Sequence, residues 1–249
     1  MKESSKPVVL ITGAAGGIGE AIGKHLLRTS HQIIAIDRNE EKLNKAFSGY
    51  DDDQVLAITA DISDTDQIIA ATTRGIAHFG SLNALINNAA LLGPRWVRSC
   101  LDYSRDEWAK LFAVNVFAIP ALVKATLPAL EKSQGVIVNM SSMNGYGHGS
   151  PSPYSVSKAA VNALTTYISE EVGKYGVRVI GLAPGFIATH KVLASVNDEV
   201  RERILENQVV RTIGMPEDIA RIVAFLIGDD SRLIAGTTIH ADLGITRRS

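Results

Sequence analysis

Tyr154 and Lys158 set a phenol and an ammonium four residues apart. On an α-helix that spacing puts both side chains on one face, about one turn from each other. An ammonium about 4 Å from a phenol hydroxyl is worth about 4 kcal/mol at an effective dielectric of about 20, which corresponds to about 3 pKa units. The expectation is therefore that Lys158 draws Tyr154 down from about 10 towards neutrality, where a general acid or base works best. Many helices carry such a pair by chance, so its meaning depends on what the rest of the chain brings beside it.

The elements that must position the pair alternate between strands and helices. Lys6 to Thr12 is a short β-branched run that leads directly into the glycine stretch Gly13 to Gly19, and Ile18, Ile22, Leu26 and Leu27 then recur at helical spacing. Glycines between a strand and a helix leave backbone N–H groups free at a positive helix end, a seat for a pyrophosphate. A second strand, Gln32 to Ile36, ends on Asp37, 18 residues after Gly19. A carboxylate there suits the adenine ribose hydroxyls of NAD and repels a 2′-phosphate. Arg38 argues for NADP, because a guanidinium can clamp that phosphate. The reading prefers NAD and leaves NADP open.

Val55 to Ala60 is a third strand ending at Asp61-Ile62, with Asp64 a candidate cap for a helix to Phe79. Leu82 to Ile86 delivers Asn87-Asn88-Ala89-Ala90 to the same edge. Ser104 and Glu107 form a capping-box pattern before a helix running through Asn115, an amide among apolar residues that either fixes a helix distortion or holds water. Gly135 to Asn139 and Val177 to Leu182 are further strands, Pro184-Gly185 turns at the carboxyl edge, and a short strand closes at Thr237 to His240. The alternation predicts one α/β domain over 1–249, a doubly wound parallel sheet with helices on both faces. The charged segment from His190 to about residue 213 reads as a flap over substrate.

Composition excludes several classes of function. With 25 basic and 26 acidic residues there is no basic block, and no nucleic-acid partner is expected. Met1 to Lys6 has no apolar core and no run of about 18 apolar residues is apparent, so the expectation is a cytoplasmic protein with no membrane partner. The single Cys100 cannot form an internal disulfide, and the six histidines lack metal-ligand spacing, so no metal site is expected.

Together these motifs resemble the classical short-chain dehydrogenase/reductase family over about Val8 to Gly244. Its TGxxxGxG stands as Thr12 to Gly19, its NNAG as Asn87 to Ala90, its YxxxK as Tyr154 to Lys158, with PGFIAT at Pro184 to Thr189 and GMPEDIA at Gly214 to Ala220. The resemblance implies a Rossmann-type sheet of about seven strands in the order 3-2-1-4-5-6-7, NAD(P)-dependent hydride transfer between a secondary alcohol and a carbonyl, and a homodimer or homotetramer. It implies Tyr154 as proton donor or acceptor, Lys158 as its partner and ribose anchor, Ser142 in an S-x-x-G context as the group orienting the substrate oxygen, and Asn115 as holder of a water linked to Lys158. The implied cofactor contacts are Gly13, Gly17, Ile18, Gly19, Asp37, Arg38, Asp61, Ile62, Asn88, Ala89, Tyr154, Lys158, Pro184, Gly185, Ile187 and Thr189.

The chain departs from the family pattern at Ala90, Ile180 and Ala241-Asp242-Leu243-Gly244, and Ser142 precedes Tyr154 by 12 residues, one fewer than the commonest spacing. Trp96, Tyr146, His148 and His190 are candidates to line the pocket. Two other readings of the same motifs are a non-catalytic dinucleotide-binding scaffold and an epimerase or dehydratase that retains NAD.

Overall fold

The computed structural model describes residues 6–92, 99–148, 152–193 and 197–245. Seven parallel strands, β1 (Val8–Thr12), β2 (Gln32–Asp37), β3 (Val55–Thr59), β4 (Ala84–Asn87), β5 (Val136–Met140), β6 (Arg178–Pro184) and β7 (Thr238–Ala241), form one sheet in the order β3-β2-β1-β4-β5-β6-β7. All residues of β1 and β5 are buried, as expected of strands covered on both faces. Strand order reverses between β1 and β4, and the crevice outside those carboxyl ends is where an open α/β sheet binds ligands.

One face carries α1 (Gly17–Arg28) and, near the chain end, α9 (Pro216–Ile227), with Ile22, Leu26, Val223 and Leu226 in a single apolar cluster. The other carries α3 (Thr65–Phe79), α5 (Ala118–Ser133) and α6 (Pro153–Val172), packed through Ile68, Leu122 and Val161. A shorter helix, α2 (Glu40–Phe47), follows β2. The local start signals hold: the Asp64 carboxylate accepts from the N–H groups of Asp66 and Gln67, Ser104 and Glu107 form a reciprocal capping box on α4 (Arg105–Phe112), and Pro216 opens α9. Arg178 bonds the carbonyls of Leu226, Gly228, Ser231 and Ile234, fastening the end of α9 to β6.

The flap segment contains two short helices, α7 (His190–Leu193) and α8 (Asp198–Glu206), the latter capped by Asn197. Ala113–Phe117 widens to a π-turn between α4 and α5, the helix distortion that is one of the two readings of Asn115. Arg105–Ser133 is also long and apolar enough to cross a membrane, although no such run is apparent when residues are counted one by one; interspersed polar residues hide it. Leu111, Val116, Leu122 and Leu130 of this run are core residues, which accounts for its apolar content.

Candidate active site

The glycine loop is built for close approach. Gly13 has φ +67°, and a Cβ there would lie 2.8 Å from the backbone of Ala89; a Cβ on Gly19 would lie 2.1 Å from the Gly13 carbonyl oxygen. Around Gly16, by contrast, a Cβ would meet nothing within 4 Å, and α1 begins there with no side-chain cap. Unpaired N–H groups of a twelve-residue helix therefore face open space, which fits a pyrophosphate. Thr12 and Asn88 hold the loop in shape: the Thr12 hydroxyl accepts from the N–H groups of Asn88 and Ala89, and the Asn88 amide donates to the carbonyls of Thr12 and Gly13. Gly17 faces Thr189 of the segment after β6, bringing that stretch to the same cradle.

Asp37 ends β2, and its carboxylate accepts from the N–H groups of Ala15 and Asn39 at 3.1 and 2.9 Å, while Arg38 is exposed. Asp61 is turned back on itself, accepting from the Ser63 N–H and hydroxyl, and Ile62 is buried. Gly185 packs against the Asp242 backbone, and Ile187 bridges to Gly214. The departures from the family pattern fit without disrupting this edge. Ile180 is fully buried opposite Val138, and Leu243 takes a left-handed φ of 55°, at a cost of about 1–2 kcal/mol, where its carbonyl receives the N–H groups of Val209 and Val210.

Beyond β5 the two neighbouring serines separate. Ser141 donates to Asn162 and to the Lys158 carbonyl, which commits it to α6. Ser142 caps the short turn Met143–Tyr146, accepting from the Asn144 N–H, and is close enough to Tyr154 to pull its phenol pKa down. Glycine is required at 145 because a Cβ would sit 2.8 Å from the Lys158 backbone, so the S-x-x-G pattern lets this turn lie on α6. Ser152 and Pro153 start α6 and place Tyr154 in its first turn. Tyr154 and Lys158 do share a face, with the ammonium 5.6 Å from the ring centroid.

Their electrostatics differ from the expectation. Burial pushes the Tyr154 phenol up, against a smaller downward pull from the Ser142 hydrogen bond. The Lys158 ammonium, buried and donating to the Met140 carbonyl at 2.6 Å, is itself pushed down to about 8 by desolvation. In the protein alone, the ammonium is directed at β5 and desolvation dominates both groups. Asn115 is held from three sides. Its two amide hydrogens go to the Leu91 carbonyl and the Ser157 hydroxyl, and its oxygen accepts from the Leu91 N–H, so it ties the π-turn to the loop after β4 and to α6. No amide hydrogen is left for a water.

Of the pocket-lining candidates, Trp96 lies outside the described residues, His190 is exposed and His148 is half-buried. Tyr146 packs against His240 with ring centroids 4.3 Å apart and planes tilted by 48°, and His240 lies 3.6 Å from the Asp242 carboxylate. Reading the sequence overlooked Asn139 and left Asn87 as a generic contact. Both are buried and hydrogen-bonded to each other across β4 and β5, and the signal was an amide at the end of each adjacent strand. No cluster of metal-ligating side chains occurs among the described residues.

A family model described as enoyl-(acyl carrier protein) reductase matches residues 13–246. The 7alpha-hydroxysteroid dehydrogenase of Bacteroides fragilis is 30% identical over 253 residues, covering 99% of this chain and 96% of that protein. The 3-oxoacyl-(acyl-carrier-protein) reductase of Haemophilus influenzae is 31% identical over 240 residues, covering 96% and 97%. Among solved structures, levodione reductase superposes with a TM-score of 0.88 at 28% identity, covering 97% of this chain and 98% of that one. The 3-ketoacyl-(acyl-carrier-protein) reductase of Brucella melitensis complexed with NADH gives 0.87 at 25% identity, covering 98% and 100%. With the glycine cradle, the Ser142–Tyr154 contact and the buried Lys158 on one sheet edge, this chain belongs to the classical short-chain dehydrogenase/reductase family of NAD(P)-dependent alcohol and carbonyl oxidoreductases.

Proposed function

We propose that the chain is one catalytic domain, 1–249, that uses NAD to interconvert a small secondary alcohol and its ketone, with the 190–213 segment covering the substrate. The observation that carries this reading is the Tyr154 ring and the buried Lys158 ammonium, 5.6 Å apart on one face of α6, in a chain with an uncapped glycine helix start. When bound, the dinucleotide supplies or accepts the hydride. Tyr154 gives a proton to the carbonyl oxygen or takes one from the alcohol, Ser142 orients that oxygen, and Lys158 assists Tyr154 and holds the ribose. Asn115 keeps the π-turn against α6. The other residues that the resemblance implies, from Gly13 to Thr189, would cradle the dinucleotide. A panel of alcohols and carbonyls with both cofactors, followed by nicotinamide absorbance, tests the reading. Binding without any change in absorbance would favour the scaffold or the NAD-retaining isomerase.

The NAD preference rests on Asp37, whose carboxylate is held at the loop by two backbone bonds and meets a 2′-phosphate with like charge. Calorimetry is expected to give NAD at least about tenfold tighter binding than NADP, and Asp37→Ala should narrow or reverse that ratio because Arg38 remains. Tighter NADP binding by the unaltered protein overturns the preference. The substrate reading rests on α8, where Asp198, Glu199, Glu202 and Glu206 outnumber Arg201 and Arg203, so the cover offers no positive seat for an acidic carrier protein or polyanion.

The same reading makes the enzyme a cytoplasmic homo-oligomer with neither membrane nor nucleic-acid partner. Its support is the burial of Leu111, Val116, Leu122 and Leu130 within the apolar run 105–133, together with Phe117 and Tyr167, which are 62% and 64% exposed on the helices containing Asn115 and Lys158. Sedimentation is expected to show a dimer or tetramer; a stable monomer refutes it.

A further inference from the structure

Gln208 and His240, away from the Tyr154–Lys158 pair, both keep buried polar atoms with no hydrogen-bond partner among the described residues. Gln208, 3% exposed towards the end of the covering segment, has a partner for neither its amide oxygen nor its amide nitrogen. Both ring nitrogens of His240, in β7, are in the same condition. The Asp242 carboxylate, 3.6 Å from Nδ1, is beyond hydrogen-bond distance. Buried donors and acceptors left unpaired are costly, and an apolar side chain of similar size in place of Gln208 would avoid that cost.

The two side chains flank one turn, Asp242 to Gly244. Next to Gln208, the Val209 N–H donates to the Leu243 carbonyl, and a Cβ on Gly244 would lie 2.6 Å from the Val209 side chain. His240 precedes that turn directly and packs against Tyr146, the last residue of the short turn that Ser142 caps. Gly185, at the exit of β6, lies against the same Asp242, where a Cβ would come within 2.7 Å of its Cα. The unpaired groups therefore sit where the cover, the β6 exit and the Ser142 turn meet. Those are the three segments around the proposed substrate.

We propose that Gln208 and His240 are specificity residues that bind a hydroxyl carried by the substrate away from its reacting carbon, so that diols and hydroxyketones are the preferred substrates. The inference deepens the oxidoreductase reading and rests on it for where the substrate lies. A hydroxyl both donates and accepts, which is what these two side chains together require. The Asp242 carboxylate favours the hydrogen on Nδ1 of His240 and leaves Nε2 to accept from the hydroxyl. Gln208 brings an N–H to the hydroxyl oxygen, and its own carbonyl can take a further hydroxyl hydrogen. A second carbonyl on the substrate would meet only the Gln208 donor. A carboxylate there would meet Asp242 and the net negative charge of α8, with Asp198, Glu199, Glu202 and Glu206. A substrate without the hydroxyl leaves the buried groups unpaired, and that is the source of discrimination.

The probes are cyclohexanone and its α-, β- and γ-hydroxy derivatives, which carry the second oxygen at increasing distance from the carbonyl. On Tyr154→Phe loaded with the reduced cofactor, so that no turnover intervenes, ligand-observed NMR is expected to show at least one hydroxyketone binding about tenfold or more tighter than cyclohexanone. Adding Gln208→Leu or His240→Phe to that background is expected to bring the ratio to within about threefold of one. Gln208→Leu should also unfold at the same temperature as its parent or higher. Equal or undetectable binding of all the probes overturns the site, as does a preference that survives both substitutions. The parent measurement stands even if a variant does not fold. Steady-state kinetics on the native enzyme separates the two readings: a hydroxyl preference in binding with no reduction of any probe sinks the oxidoreductase reading and leaves the site in place, whereas reduction of every probe at equal kcat/KM does the reverse.

Discussion

Tyr154→Phe is expected to lower kcat/KM by at least about 10³-fold in both directions while changing cofactor affinity by no more than a few-fold. The substitution removes one oxygen from a ring held by α6. Ser142 then still orients the substrate oxygen but has no proton to relay, because a serine hydroxyl is too weak an acid for that work. Steady-state kinetics and a cofactor titration on the same preparation separate the two effects, and an active Phe variant removes Tyr154 from the mechanism. The pH dependence adds a sign. Burial raises the phenol, so it stays protonated through neutrality, the form that donates to a carbonyl. Alcohol oxidation needs the phenolate, so its rate should climb with pH through the neutral and alkaline range while carbonyl reduction stays flat. The Phe variant should lose that contrast along with its activity.

Lys158→Met should do two opposite things. Turnover falls by at least about 10²-fold, because the cation that assists Tyr154 is gone. Stability moves the other way at neutral pH. The folded apoprotein holds Lys158 at about 8, whereas the unfolded chain titrates it near the ordinary lysine value of 10.5. Below pH 8 both states carry the proton, and folding bears the full cost of burying the charge, about 3 kcal/mol from the size of the shift. Between 8 and 10.5 the unfolded state binds the extra proton, so wild-type stability rises with pH; above 10.5 this cost is absent. The stability of Lys158→Met relative to wild type is therefore expected to be about 3 kcal/mol more favourable at pH 7 than at pH 11. Taking the difference between two pH values cancels those effects of the substitution that do not depend on the charge of Lys158. Denaturant unfolding of the apoprotein at the two values measures it; a pH-independent difference would mean that the ammonium is not buried at a cost. A lysine kept at such expense in the core is the pattern of a functional group stored against stability.

Much of the architecture was legible because it is written locally. The β-branched runs, the glycine stretch after Thr12, the Asp64 cap, the Ser104–Glu107 capping box and Pro216 act within a few residues of themselves, so period and cap chemistry suffice to read them. The sheet order followed from the motif order through the family likeness, and the structure has that order. The helical spacing of Tyr154 and Lys158 likewise put them on one face.

What only the tertiary structure decided concerns partners distant in sequence and the absence of water. The spacing of Tyr154 and Lys158 suggested attraction, but desolvation and the Met140 carbonyl, 18 residues from Lys158, set the direction of both pKa shifts. Whether Ser141 or Ser142 meets Tyr154 depends on which of two adjacent side chains points into α6. Asn115 read as an amide that fixes a helix distortion or holds water, and only the fold brings Leu91 and Ser157, 24 and 42 residues away, to its two hydrogens. Asn87 owes its orientation to Asn139, 52 residues on, and beyond it to Thr165. By itself the sequence determined which chemical groups reach the carboxyl edge of the sheet. The folded chain decided which of them keep a free donor, acceptor or charge, because hydrogen-bond capacity is spent on whatever neighbour packing supplies and a charge is priced by the water it has lost.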